Sequence, residues 1–222
     1  MAYDLEEQEQ LDTIKAWWKQ YGNLVTWLLV VIVSAYAAWT GWGSYQNGRS
    51  VQASQLYDEL QRSVAAKDNV RVQRAASDLM EKFTRTSYAP MAALSAAKSA
   101  LDSNDLKTAK LQLSWIIEHS NADEFNALAR LRLAGIFLDE KAYDDGLSLL
   151  SGKFPDEFTG NVFDRKGDIY AAQNKIAEAR VAYQVAMEKV KEKNPGRKLI
   201  QIKFDAVGGV DSNKVAVNAA GK

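Results

Sequence analysis

From Leu24 to Trp42 the chain runs for 19 residues without a charge, inside a longer uncharged window from Gln20 to Gly48. At 1.5 Å per residue such a helix is roughly 28 Å long, about the thickness of a bilayer's hydrocarbon core. Aromatic residues bracket it: Trp17, Trp18 and Tyr21 before, Trp39, Trp42 and Tyr45 after. Five of the six tryptophans lie in the first 42 residues, where indoles suit the headgroup levels of a membrane. Leu28 to Val33 is apolar on every face, unlike a core helix with a polar stripe. The expectation is a single transmembrane helix over residues 23–43.

A cleaved signal peptide is the main rival, because Ala35-Tyr36-Ala37 resembles a cleavage site. Against it, the preceding segment carries Asp4, Glu6, Glu7, Glu9 and Asp12 and only Lys15 and Lys19. That is the wrong sign for a signal-peptide start, and the apolar run continues past the cut. Orientation is a tie by basic residues, Lys15 and Lys19 against Arg49 and Arg62. Lys19 lies closer to the apolar run than Arg49, which favours a cytoplasmic N-terminus. Absence of cysteine fits an oxidising envelope compartment.

Acidic and basic side chains both number 28, so the chain has no net charge and implies no nucleic-acid partner. Few prolines and abundant alanine after the anchor point to helices. There Phe163, Gly167, Tyr170, Ala179, Tyr183 and Ala186 reproduce the large, small, aromatic, small, aromatic, small spacing of a tetratricopeptide hairpin. Thirty-three residues earlier stand Ala134, Phe137, Gly146 and Leu150; 37 earlier still stand Ala97, Ala100, Ala109, Leu113 and Ile116. Ser103-Asn104-Asp105, Asp139-Glu140-Lys141 and Gln173-Asn174-Lys175 are the expected turns between paired helices. Small residues let helix backbones approach, and stacked hairpins bury what one hairpin leaves exposed.

Val51–Ala66 and Asn69–Phe83 read as a further hairpin that follows the period poorly, as a terminal cap or a helix leaving the membrane does. Leu199 to Phe204 fits either a short strand or a helical cap. The fold expected is all-α: a transmembrane helix, then an α-solenoid of tetratricopeptide-like hairpins. The expected divisions are 1–22 acidic and amphipathic, 23–43 transmembrane, 44–207 repeats and 208–222 a disordered tail. Gly41-Trp42-Gly43 reads as a flexible exit from the membrane.

Catalytic signals are sparse. His119 is the only histidine and reads as a helix-end residue in a favourable dipole. Ser95-Ala96-Ala97-Lys98 matches an S-x-x-K motif without its companion motifs. With no cysteine, a zinc site would need converging carboxylates, and Asp164 with Asp168 reads more simply as a solvated helix face. No enzyme, metal or cofactor is expected. Within the anchor, Ser34 with Ala38 and Ala37 with Gly41 form small-xxx-small pairs, a candidate contact face for another transmembrane helix. Tyr88, Trp115, Phe125 and Phe158 are candidate binding aromatics, with core packing the simpler role for each.

The order of these parts carries a resemblance. Glu6-Glu7-Gln8-Glu9-Gln10 leads into Ile14-Lys15-Ala16-Trp17-Trp18-Lys19-Gln20-Tyr21-Gly22, then one anchor, degenerate repeats and a terminal Leu199-Ile200-Gln201-Ile202-Lys203. To about Val207 the chain resembles the YfgM family of bacterial inner-membrane proteins, ancillary subunits of the SecYEG translocon. The Trp-Trp-Lys-x-x-Gly segment is its most specific part. The resemblance implies a periplasmic repeat domain, a cytoplasmic N-terminus, and a periplasmic chaperone of the PpiD type as partner. It also implies a non-enzymatic role in helping unfolded exported polypeptides leave the channel and fold. An envelope scaffold tethering a cell-wall enzyme, or a regulatory anchor binding a signalling protein, is the alternative reading.

Overall fold

In the computed structural model, which describes residues 3–209, every element is helical. The helices are α1 (Tyr3–Ala65), α2 (Asn69–Lys82), α3 (Tyr88–Asp102), α4 (Leu106–His119), α5 (Asp123–Asp139), α6 (Tyr143–Leu149), α7 (Thr159–Ala172), α8 (Ile176–Lys189) and α9 (Gly196–Ala206). A single 3₁₀ turn, Asp156–Phe158, precedes α7. The chain divides into two compact units, Met1–Gln52 and Ala53–Lys222.

In the first unit α1 carries the apolar run. Leu11–Trp42 is long and apolar enough to cross a membrane. Two threonines within it find partners in their own helix. Thr26 Oγ1 donates to the Gly22 carbonyl at 2.7 Å, and Thr40 Oγ1 to Tyr36 at 3.0 Å. Such bonds satisfy a hydroxyl where water is absent. The exit expected at Gly41-Trp42-Gly43 is not a break: the helix passes through it and continues to Ala65. One glycine costs a long helix only about 1 kcal/mol, which its neighbours' hydrogen bonds outweigh.

The second unit stacks hairpins. Each first helix ends in the same three-residue turn, with a left-handed residue at its centre: Lys67 (φ 55°), Asn104 (59°), Lys141 (62°) and Asn174 (59°). In every case that residue's N–H bonds three residues back and the next N–H bonds five back, as in Asn104 to Leu101 and Asp105 to Ala100. This is the Schellman closure of a helix C-terminus. After two of the turns an aspartate caps the next helix: Asp68 accepts from the Arg71 N–H at 3.1 Å, Asp105 from Thr108 at 3.0 Å. Lys67 stands 37 residues before Asn104, so the hairpin α1–α2, expected to follow the period poorly, keeps it, and its first helix is the end of the α1 helix that carries the apolar run.

Its contents explain why the period is hard to see. Stepping back 37 residues from Ala97, Ala100, Ala109, Leu113 and Ile116 gives Leu60, Ser63, Val72, Ala76 and Leu79, all buried. Large and small residues are exchanged between the two sets, so the core is filled from the opposite helix. At the other end, the segment Leu199–Phe204 belongs to helix α9, whose Ile200 and Phe204 pack on Ala179, Tyr183, Ala186 and Met187. Arg197 holds it there by donating to the carbonyls of Met187 and Val190 at the end of α8. The helix closes with the same turn again, at Val207-Gly208-Gly209 with Gly208 at φ 75°. The expected tail from 208 lies, beyond Gly209, outside the described residues.

Candidate functional site

The anchor presents Ser34, Ala37, Ala38 and Gly41 on its surface, and nothing comes within 4 Å of where a Gly41 side chain would begin. Towards the N-terminal side, Trp17 lies 5.8 Å from Tyr21 and 6.4 Å from Trp18, ring centre to ring centre. The Trp18 indole covers Gly22, where an added Cβ would sit 3.1 Å from the ring. The Trp-Trp-Lys-x-x-Gly segment is thus a local aromatic cluster folded over a glycine.

In the second unit the repeat positions meet in the interior. Ala97, Ala100, Ala109, Leu113 and Ile116 are buried together with Ala93, Ala129 and Leu133. Ala134 and Leu150 join Val162 and Ile169, and Ala179, Tyr183 and Ala186 join the α9 side chains. Phe137, Phe163 and Tyr170 are only half-buried. Gly146 lets Ile169 approach, a Cβ there being 3.0 Å from Ile169 Cδ1. Gly167 accepts the Tyr183 ring flat against its backbone; a Cβ would stand 2.5 Å from Tyr183 Cε1.

Asp164 and Asp168 are not a solvated face. Lys203 of α9 reaches both, at 2.9 Å and 2.8 Å, and the Tyr183 hydroxyl donates to Asp168 at 2.9 Å. Arg165 adds a longer contact to Asp168 at 3.4 Å. Burial raises the Asp164 pKa above the ordinary carboxylate value, opposed by the Lys203 hydrogen bond. Burial, with the Asp168 charge, raises the Tyr183 hydroxyl well above its usual range. One turn of spacing suggested exposure in the sequence; the covering helix comes from a segment whose helicity was undecided.

The candidate aromatics fall in two places. Trp115 and Phe125 line a cleft of about 310 Å³ with Pro90, Arg85 and His119. Trp115 stacks on His119 at 4.8 Å and 8° between planes. Tyr88 packs against Tyr57 at 5.6 Å, and Phe158 joins the cluster around Val162. His119 Nδ1 lies 3.0 Å from its own helix's Trp115 carbonyl, and no nucleophile is placed at its ring among the described contacts. Ser95 donates to Met91 and Lys98 pairs with Asp102 at 2.7 Å, so the S-x-x-K residues are engaged apart from each other. No group of three metal-ligating side chains occurs among the described residues.

Residues 15–209 match the family described as tetratricopeptide repeat-like domain. A protein of Neisseria gonorrhoeae named ancillary SecYEG translocon subunit is 31% identical over 211 residues, 93% of this chain and all of that one. The chain belongs to the family of ancillary SecYEG translocon subunits. Members of the same name from Haemophilus influenzae and Escherichia coli are 27% and 23% identical, over 81% and 82% of this chain. The match spans anchor and repeats together, which a shared repeat alone does not produce.

Proposed function

We propose that this protein is a non-enzymatic, membrane-anchored interaction subunit that works beside the SecYEG translocon. Its N-terminus is cytoplasmic, α1 crosses the bacterial inner membrane once, and residues 44–207 stand in the periplasm. With a periplasmic chaperone of the PpiD type it receives exported polypeptides as they leave the channel and helps them fold. The observation that carries this reading is full-length similarity to a protein named for that assembly. The exposed face of Ser34, Ala37, Ala38 and Gly41 supports recruitment through the anchor, since small residues permit close helix contact in lipid. The hairpin stack supports polypeptide binding without covalent chemistry.

The test is mass spectrometry of what co-purifies with the full-length protein from membranes in mild detergent, beside a chain lacking residues 1–43. Translocon subunits present with the first and lost with the second are the expected result. A cell-wall enzyme or signalling protein in their place overturns the reading in favour of a general envelope scaffold.

A further inference from the structure

The hairpin α7–α8 carries a groove of about 420 Å³, lined by Phe163, Lys166 and Tyr170 of α7 and by Ala177, Glu178, Val181 and Ala182 of α8. The repeat itself shows what belongs on this face. Seventy residues earlier, the positions of Phe163, Lys166 and Tyr170 are held by Ala93, Ala96 and Ala100, all buried, and that of Ala182 by Gln112. There α2 of the preceding hairpin lies over the groove: Gln73 donates to the Ala96 carbonyl at 2.8 Å and accepts from Gln112 at 3.1 Å. In the next hairpin Leu133, at the place of Lys166, is buried, and Lys110 of α4 sits 5.9 Å from the centre of the Phe137 ring. Both covering helices have 14 residues. The helix preceding α7 is α6, with 7, and none of its residues lines the α7–α8 groove.

The side chains answer the change. Three alanines that admit a close helix are replaced by Phe163, Lys166 and Tyr170, with the lysine ammonium 5.2 Å from the centre of the Phe163 ring. Val181 is 63% exposed on the opposite wall. An apolar slot with the Lys166 cation on the α7 wall and the Glu178 carboxylate on the α8 wall fits an amphipathic helix whose apolar stripe carries a carboxylate on the side that faces α7.

Resting on the interaction role above, we propose that the α7–α8 groove binds a short amphipathic helix of a partner polypeptide, apolar on one face and acidic at the margin facing α7, in the place a longer α6 would take. The probe is a fluorescein-labelled helical peptide of about four turns built from Leu, Ala and Glu, its leucines at i, i+3, i+4 and i+7. It is titrated against the full-length protein in detergent. Controls are a peptide of the same composition in scrambled order and one with Lys for Glu. Val181→Glu should weaken the patterned acidic peptide about tenfold or more, and Lys166→Glu should reverse the preference between the acidic and basic peptides. Leu111→Glu, at the place of Val181 in the α3–α4 hairpin and 62% exposed, should leave binding unchanged.

Equal binding of the scrambled peptide, or no effect of Val181→Glu, overturns the assignment. So does a Val181→Glu protein that loses self-association in sedimentation instead, which gives the groove to a second copy. Tighter peptide binding after removal of residues 210–222 gives it to the chain's own end and overturns it equally. Translocon co-purification is scored on the same proteins. If it survives while the peptide tests fail, the groove is wrong and the translocon role stands; if it is absent while they succeed, the reverse holds.

Discussion

Gly167 and Tyr183 show how narrow the tolerance is at one residue. An alanine at 167 would put its Cβ 2.5 Å from the Tyr183 ring, and that ring is also held by its hydroxyl bond to Asp168. The ring cannot move aside without losing the bond. Gly167→Ala should cost about 1–3 kcal/mol in urea unfolding of the detergent-solubilised protein, and adding Tyr183→Leu should recover part of that loss. A Gly167→Ala protein as stable as the parent would show that the ring is free to shift.

The Asp164–Lys203–Asp168 group makes a second prediction at this scale. Asp164 has a raised folded-state pKa, so the stability linked to its protonation is present below its ordinary value of 3.8 and is lost as pH rises through the higher folded value. At neutral pH Lys203 offsets the burial of two carboxylates. Lys203→Met should destabilise by about 1–3 kcal/mol at pH 7, because it removes the ammonium that Asp164 pairs with and leaves Asp168 only Arg165 and the Tyr183 hydroxyl. The deficit should shrink as pH falls towards 4 and Asp164 takes up a proton. Denaturant melts at both pH values measure this, and a deficit that grows on acidification would contradict it.

At the scale of elements, α6 is the weak member of the stack. It has 7 residues and a glycine at its buried position, and its N-cap residue Ala142 makes no side-chain capping bond. By contrast α2 and α4 each have 14 residues and an aspartate cap. Short helices gain little from propagation and depend on packing. In native-state hydrogen exchange the amides of α6 should exchange ahead of those of α4 and α8. Protection of α6 equal to its neighbours' would mean that Leu150, Phe154 and Phe158 hold it more firmly than its length suggests.

How much of this was legible follows from where the information is written. Turns such as Ser103-Asn104-Asp105 could be placed because an Asn able to take positive φ stands there. The period from Ala97 to Ala186 was legible because small residues recur at two of its places, Ala97, Ala134 and Gly167 at one and Ala109, Gly146 and Ala179 at the other. It faded at Leu60, Ser63, Val72 and Ala76, where volume is conserved across a helix pair and not at each position. The role of Asp164 and Asp168 was hidden, since their partner Lys203 is distant in sequence and its helix had an ambiguous pattern. The α7–α8 groove was hidden too, because it depends on the length of α6, which no periodicity in α7 or α8 records.

At the scale of the whole molecule, the chain joins one helix long and apolar enough to cross a membrane to a tetratricopeptide repeat-like domain. Nearest-neighbour stacking leaves the repeat domain few contacts between distant segments, so its stability is a sum of local interfaces. Truncation after α6 should leave a shorter domain whose remaining hairpins still unfold cooperatively, with a smaller urea m-value in proportion to the surface lost. Collapse of all helical signal on that truncation would show that the stack is a single cooperative unit.

The exchange of large and small residues between the first two hairpins has a consequence for how such a protein diverges. Leu60 stands where the next unit has Ala97, and Ala76 stands where it has Leu113, all four buried. Each hairpin is therefore keyed to its own pairing, like a cut that fits one lock. Duplicating one unit in tandem, or recombining units between relatives, would bring bulk against bulk or leave gaps. The order of the hairpins is thus written into their interiors, and a lineage carrying this chain is held to its present number and sequence of repeats even where the surface is free to change.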